Sequence, residues 1–66
     1  MTFTFRQKMR AAQREAGYRR FVYPKRVAAG KMRQHQADEE IAIMDEIAAD
    51  YGRAAEREEK KEKLPL

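Results

Sequence analysis

Sixty-six residues, 39% of them charged and 42% hydrophobic, make at most one domain near the lower limit for a self-supporting core. The net charge of +4 hides a separation along the chain: residues 1–33 carry ten Lys or Arg against Glu15 alone (+9), and residues 34–66 carry ten Asp or Glu against five bases (−5). Cysteine and serine are absent and there is a single histidine, which excludes disulfides and thiolate metal sites and leaves the usual acyl-transfer nucleophiles and acid–base pairs unsupplied.

Ala, Glu, Lys, Arg, Gln and Met dominate and β-branched residues are scarce, so helix is expected throughout. The first helix is placed at about residues 4–29. Phe5, Met9, Ala12 and Ala16 step by four, three and four, a stripe on one face with Arg and Lys on the others. Gly17 weakens its interior by about 1 kcal/mol relative to Ala. Pro24 removes a donor and disfavours helical geometry at Tyr23, which predicts a kink or a restart there. Val27, Ala28 and Ala29 continue as far as Gly30, a natural left-handed C-cap, and Lys31 to Gln34 form the turn.

The second helix is placed at about residues 35–59. Ala37, Ile41, Met44, Ala48, Tyr51 and Ala55 alternate steps of four and three, a heptad-like seam that Ile43 and Ile47 widen on one side. Asp38, Glu39 and Glu40 sit in its first turns and Lys60, Lys61 and Lys63 near its end, both favourable to the helix dipole. Glu56–Lys60 and Glu59–Lys63 are i,i+4 pairs contributing about 0.2–0.5 kcal/mol each. Pro65 stops the helix, and residues 60–66 read as a frayed, charged tail.

Two helices on a short turn fold back antiparallel, giving an all-α hairpin domain over residues 1–59. With the turn centred near Met32, Ala16 falls opposite Ala48 and Ala12 opposite Gly52, Arg19 comes near Asp45, and Arg14 comes near Asp50. The hairpin thus lays the basic half against the acidic half, and the charges select the register. Large apolar side chains are few, because eleven of the hydrophobic residues are alanines. The missing burial is expected from pairing into a dimeric four-helix bundle, a homodimer, or from docking on a partner.

The segment from Tyr18 to Arg26 interleaves Arg19, Arg20, Lys25 and Arg26 with Phe21 and Tyr23. Aromatics can stack on exposed bases while Arg and Lys hold phosphates, which makes this a candidate nucleic-acid surface. The other reading is that Phe21, Val22 and Tyr23 pack around the proline with solvated arginines between them. Arg6, Arg10 and Arg14 recur every fourth residue, as a phosphate-tracking stripe or a solvated face would. His35 with Asp38 and Glu39 supplies too few ligands for a metal and reads as a polar helix start. Met1, Phe3, Phe5 and Met9 with Arg6, Lys8 and Arg10 form a basic amphipathic start, too short and alanine-diluted for a membrane surface and better suited to closing the dimer or entering a partner's groove.

Two blocks, Val22-Tyr23-Pro24-Lys25-Arg26-Val27-Ala28-Ala29-Gly30-Lys31-Met32 and Ala37-Asp38-Glu39-Glu40-Ile41-Ala42-Ile43-Met44 running on to Asp50-Tyr51, resemble a group of small uncharacterised proteins of bacteriophages and prophages. The resemblance covers about half of the chain and implies a setting, not an activity. Ala12 and Ala16 stand where larger aliphatics are usual in that group, and Gly17 and Gly52 interrupt both helices, which strengthens the expectation of a partner.

With no apolar run near the ~20 residues of a membrane span, and Arg6, Lys8 and Arg10 interrupting any signal-peptide core, the expected location is the cytoplasm of a bacterial host. The function expected is that of a non-enzymatic phage-type accessory or regulatory protein, without cofactor or metal, that binds and modulates a host or phage protein. The alternative is a small nucleic-acid binder using Arg6, Arg10, Arg14, Arg19, Arg20, Phe21, Tyr23, Lys25 and Arg26.

Overall fold

In the computed structural model, which describes residues 2–63, Thr4 opens the first helix, α1 (Phe5–Ala28). Its Oγ1 accepts the Gln7 N–H at 3.1 Å, and Gln7 Oε1 accepts the Thr4 N–H at 2.8 Å. This reciprocal capping box satisfies two backbone donors that the first turn would otherwise leave free.

α1 passes through Pro24 as one helix, so of the kink or restart expected there the restart does not occur. Pro24 cannot donate to the Arg20 carbonyl, but both residues are exposed and close to the helix end, where water can take that acceptor. The stop comes at Gly30, whose φ of +73° lies in the left-handed region. There the Gly30 N–H donates to the Val27 carbonyl at 3.0 Å and the Lys31 N–H to the Arg26 carbonyl at 2.9 Å, the two bonds of a Schellman cap.

After that turn the chain enters α2 (Gln34–Lys63). Gln34 Nε2 donates to Asp38 Oδ1 at 2.9 Å. Because α2 begins at Gln34, the acids Asp38 to Glu40 lie in its second turn, beyond the strongest part of the dipole field. At the other end α2 runs four residues past the expected boundary. Glu, Lys and Arg are good helix formers, and nothing before Pro65 breaks the run. Met1, Pro65 and the partner side chain of the Glu59–Lys63 pair lie outside the described side chains.

The two helices form an all-α antiparallel hairpin of about 57 × 20 × 16 Å. Its buried residues are Ala12, Ala16, Ala37, Ala48 and Ala55, and no large side chain among the described residues is fully buried. Three of these, Ala12, Ala16 and Ala48, are the small residues expected along the middle of the seam. Met9 extends it: a Cβ built on Gly52 would sit 3.5 Å from Met9 Sδ. Met9, Val22, Val27, Ile41, Met44 and Ile47 are half-buried around this strip.

The consequence is an open molecule. Its radius of gyration is 15.7 Å, against about 11 Å for a compact chain of this length. Its accessible surface of 5484 Å² exceeds by about 1,100 Å² that of a compact monomer of this size.

Two glycine substitutions should act in opposite directions in urea or thermal unfolding. Gly17→Ala, with nothing within 4 Å of the added methyl, should stabilise by about 1 kcal/mol. Gly30→Ala should destabilise by about 1 kcal/mol or more, because the cap needs positive φ. Equal effects of the two would contradict the assignment of Gly30 as the cap.

Candidate interaction surface

The hairpin sorts the cations of α1 into two groups. Across the seam, the Arg6 guanidinium grips Glu59 through both Nε and Nη2, the latter at 3.0 Å from Oε1. The hydrogen bond to Glu59 and then its charge raise the Arg6 pKa above its ordinary value, so Arg6 stays charged throughout the working pH range. Arg19 is the most enclosed of these arginines, its side chain 17% exposed. Its Nη1 donates to the Glu40 carbonyl at 2.8 Å, and its Nε to Glu15 at 3.2 Å. Arg20 pairs with Asp45.

Arg19 therefore takes a different partner from the one expected, and Asp45 goes to Arg20. Consecutive residues are rotated by about 100° around a helix, so Arg20 reaches Asp45 on one flank while Arg19 turns to Glu40 on the other. Arg14 does not meet Asp50, which pairs within α2 with Arg53. The observed pairs lie within about a turn of the expected register, and the coarse alignment of basic helix on acidic helix stands.

Five cations of α1 have no acidic partner among the described residues: Lys8, Arg10, Arg14, Lys25 and Arg26. Three of these sit over rings. Lys8 Nζ lies 5.2 Å from the Phe5 centroid, Lys25 Nζ 3.7 Å from that of Phe21, and the Arg26 guanidinium 5.4 Å from that of Tyr23. Tyr23 also receives Arg19 at 5.8 Å and is half-buried, so it belongs to the packed flank. Arg10 and Arg14 have no partner of any kind among the described residues.

Periodicity then places the free groups together. Gln7, Arg10, Ala11, Arg14, Tyr18, Phe21 and Lys25 fall on one side of α1, opposite Met9, Ala12, Ala16 and Val27. Phe3, ahead of the helix, joins them and forms with Gln7, Lys8, Arg10, Ala11 and Arg14 a shallow groove on the surface of α1 itself. Phe3 is 65% exposed, Tyr18 54% and Phe21 66%. Glu15, the single acid of α1, lies off this face and is held by Arg19.

The outer face of α1 is thus a strip of exposed rings and unpaired cations without an acid. Of the nine residues expected to make the surface, it gathers Arg10, Arg14, Phe21 and Lys25. Arg6, Arg19 and Arg20 are spent on acids, Tyr23 is packed, and Arg26 lies to one side. Tyr18, which heads the aromatic segment, and Phe3, read with the N-terminal cluster, stand outside those nine but join this face, and the spacing of Tyr18 from Arg14, Phe21 and Lys25 is the signal that places it there.

His35 is exposed, and no group of three or more His, Asp or Glu among the described residues converges on a metal-sized site. No helix of the described residues is long and apolar enough to cross a membrane. No protein-family model matches the chain, and no curated protein or solved structure is significantly similar to it.

The sorting has a stability signature. Arg19→Ala should destabilise by about 1–2 kcal/mol, because it strips a part-buried carbonyl of its charged donor, whereas Arg14→Ala should stay within about 0.5 kcal/mol. Denaturant unfolding of the two variants checks this, and equal losses would mean that Arg14 is also engaged in the fold.

Proposed function

We propose that this chain is a non-enzymatic accessory protein that acts by binding an anionic macromolecule along the outer face of α1. The observation that carries this reading is the juxtaposition of Arg10 and Arg14, which lack partners among the described residues, with Phe3, Tyr18 and Phe21, which lie exposed among them. Rings held in water and arginines left unpaired contribute little to the fold, and a bound partner would give both a role. The excess accessible surface supports a partner as well, being comparable to one side of a standard interface at about 800 Å².

Of the partner classes weighed from the sequence, charge of a single sign favours a polyanion. An acidic protein segment is the second reading, favoured by the apolar share of the same face. We also place a homodimer, pairing into a four-helix bundle, on the side marked by Ile43, 42% exposed, and the half-buried Ile47. The setting we assign, an accessory protein of bacteriophages or prophages working in the host cytoplasm, rests on the resemblance of the two blocks around Pro24 and Asp38.

If the outer face serves binding and not folding, the triple variant Phe3→Ser, Tyr18→Ser, Phe21→Ser should lose no more than about 0.5 kcal/mol per site. It should also sediment as a dimer like the parent protein. A loss of several kcal/mol, or dissociation to monomers, would show that these rings pack within the protein or its dimer. A monomeric parent protein would remove the four-helix bundle.

A further inference from the structure

We infer that the outer face of α1 binds single-stranded nucleic acid, DNA or RNA, with bases on Phe21, Tyr18 and Phe3 and phosphates on Arg10, Arg14 and Lys25. This rests on the reading of that face as the binding surface and goes beyond it by naming the ligand.

The first argument is the company each ring keeps. Lys25 Nζ stands 3.7 Å from the centroid of Phe21. An ammonium over one face of a ring leaves the other face for a base, and it lies within reach of that nucleotide's phosphate. Tyr18 carries no cation over its ring among the described residues, and Arg14 precedes it by one turn on the same side.

The second is spacing. Tyr18 and Phe21 are three residues apart, a rise of about 4.5 Å, near the step of about 3.4 Å between stacked nucleotides. From Gln7 to Lys25 the strip runs about 27 Å, the length of about eight stacked nucleotides.

The third is the form of the surface. A duplex keeps its bases stacked inside and presents phosphates and groove edges, to which three protruding rings offer nothing. A single strand exposes base faces, for which aromatic side chains are the common sequence-tolerant platform. An acidic protein segment would match the cations, but its carboxylates leave the rings on this convex ridge unused unless it brings pockets of its own.

The test is fluorescence anisotropy of the full chain with labelled oligothymidylate and oligouridylate about twice the length of the strip. Binding of either at low salt is expected, weakening with salt at a log–log slope of about −2 for three phosphate contacts. A duplex of equal length should bind more weakly. Tyr18→Ala with Phe21→Ala should weaken binding by about 30-fold or more. Arg10→Ala with Arg14→Ala should flatten the slope to about −0.7, and Arg53→Ala with Arg57→Ala on α2 should change neither. Circular dichroism confirms that each variant is folded.

Absence of binding at low salt overturns the inference, as does a duplex bound as tightly as the single strand, or ring variants that bind like the parent. If the oligonucleotides are ignored but polyglutamate binds in a way that needs Arg10 and Arg14, the ligand class is wrong and the surface reading survives. If oligonucleotide binding is lost only on changing Arg53 and Arg57, both readings fall.

Discussion

Everything in this hairpin depends on alanine methyls meeting across the seam. Ala12 and Ala16 on α1 and Ala37, Ala48 and Ala55 on α2 are the buried residues among those described, and small residues along a contact let two helices approach closely. That approach puts Glu59, Glu40 and Asp45 within reach of Arg6, Arg19 and Arg20. The more exposed Arg6 and Arg20 pairs add little to stability, but they penalise alternative registers. Methyl packing brings the helices together, and the ion pairs set their register.

The same seam explains why so much is left outside. A methyl group contributes about 0.8 kcal/mol when buried, so a core of alanines is a thin one, supplemented by half-buried methionines, valines and isoleucines. The chain remains a rod with excess accessible surface. Large aromatic side chains, the most effective core material available to it, instead stand at 54–66% exposure on the outer face of α1. A short chain with few bulky residues thus leaves Phe3, Tyr18 and Phe21 in water.

Much of this was legible in the sequence, for identifiable reasons. The 4-3 alternation from Ala37 to Ala55 is a strong helical signal, and three of its alanines are buried. Gly30 was readable as a cap because glycine reaches positive φ at no steric cost. The Thr4…Gln7 capping box is a weaker signal, because the Thr-x-x-Gln spacing stands alone in a first turn that has no acid. Pro24 allowed a kink or a restart, and the helix does not restart: the residue lies exposed near the helix end, where the lost hydrogen bond costs less than in a buried helix. That Asp45 takes Arg20 in place of Arg19 could not be read, because a one-residue choice depends on the rotation of each helix about its own axis, to which composition and period are blind. The candidate surface was incompletely legible for the same reason. Counting cations by segment could not separate those that reach acids from those that do not.

The charge asymmetry therefore has two components: cations that hold the hairpin in register, and cations that α2 does not reach. The central claim is that folding creates this division. It is tested most directly by following the arginine Nε–H and backbone amide resonances by heteronuclear NMR while oligothymidylate is added. The account predicts that Arg10 and Arg14 shift together with Gln7, Tyr18, Phe21 and Lys25, while the Nε–H signals of Arg6 and Arg19 and the amides of α2 stay in place. Shifts spread evenly over all arginines, or centred on α2, would contradict it.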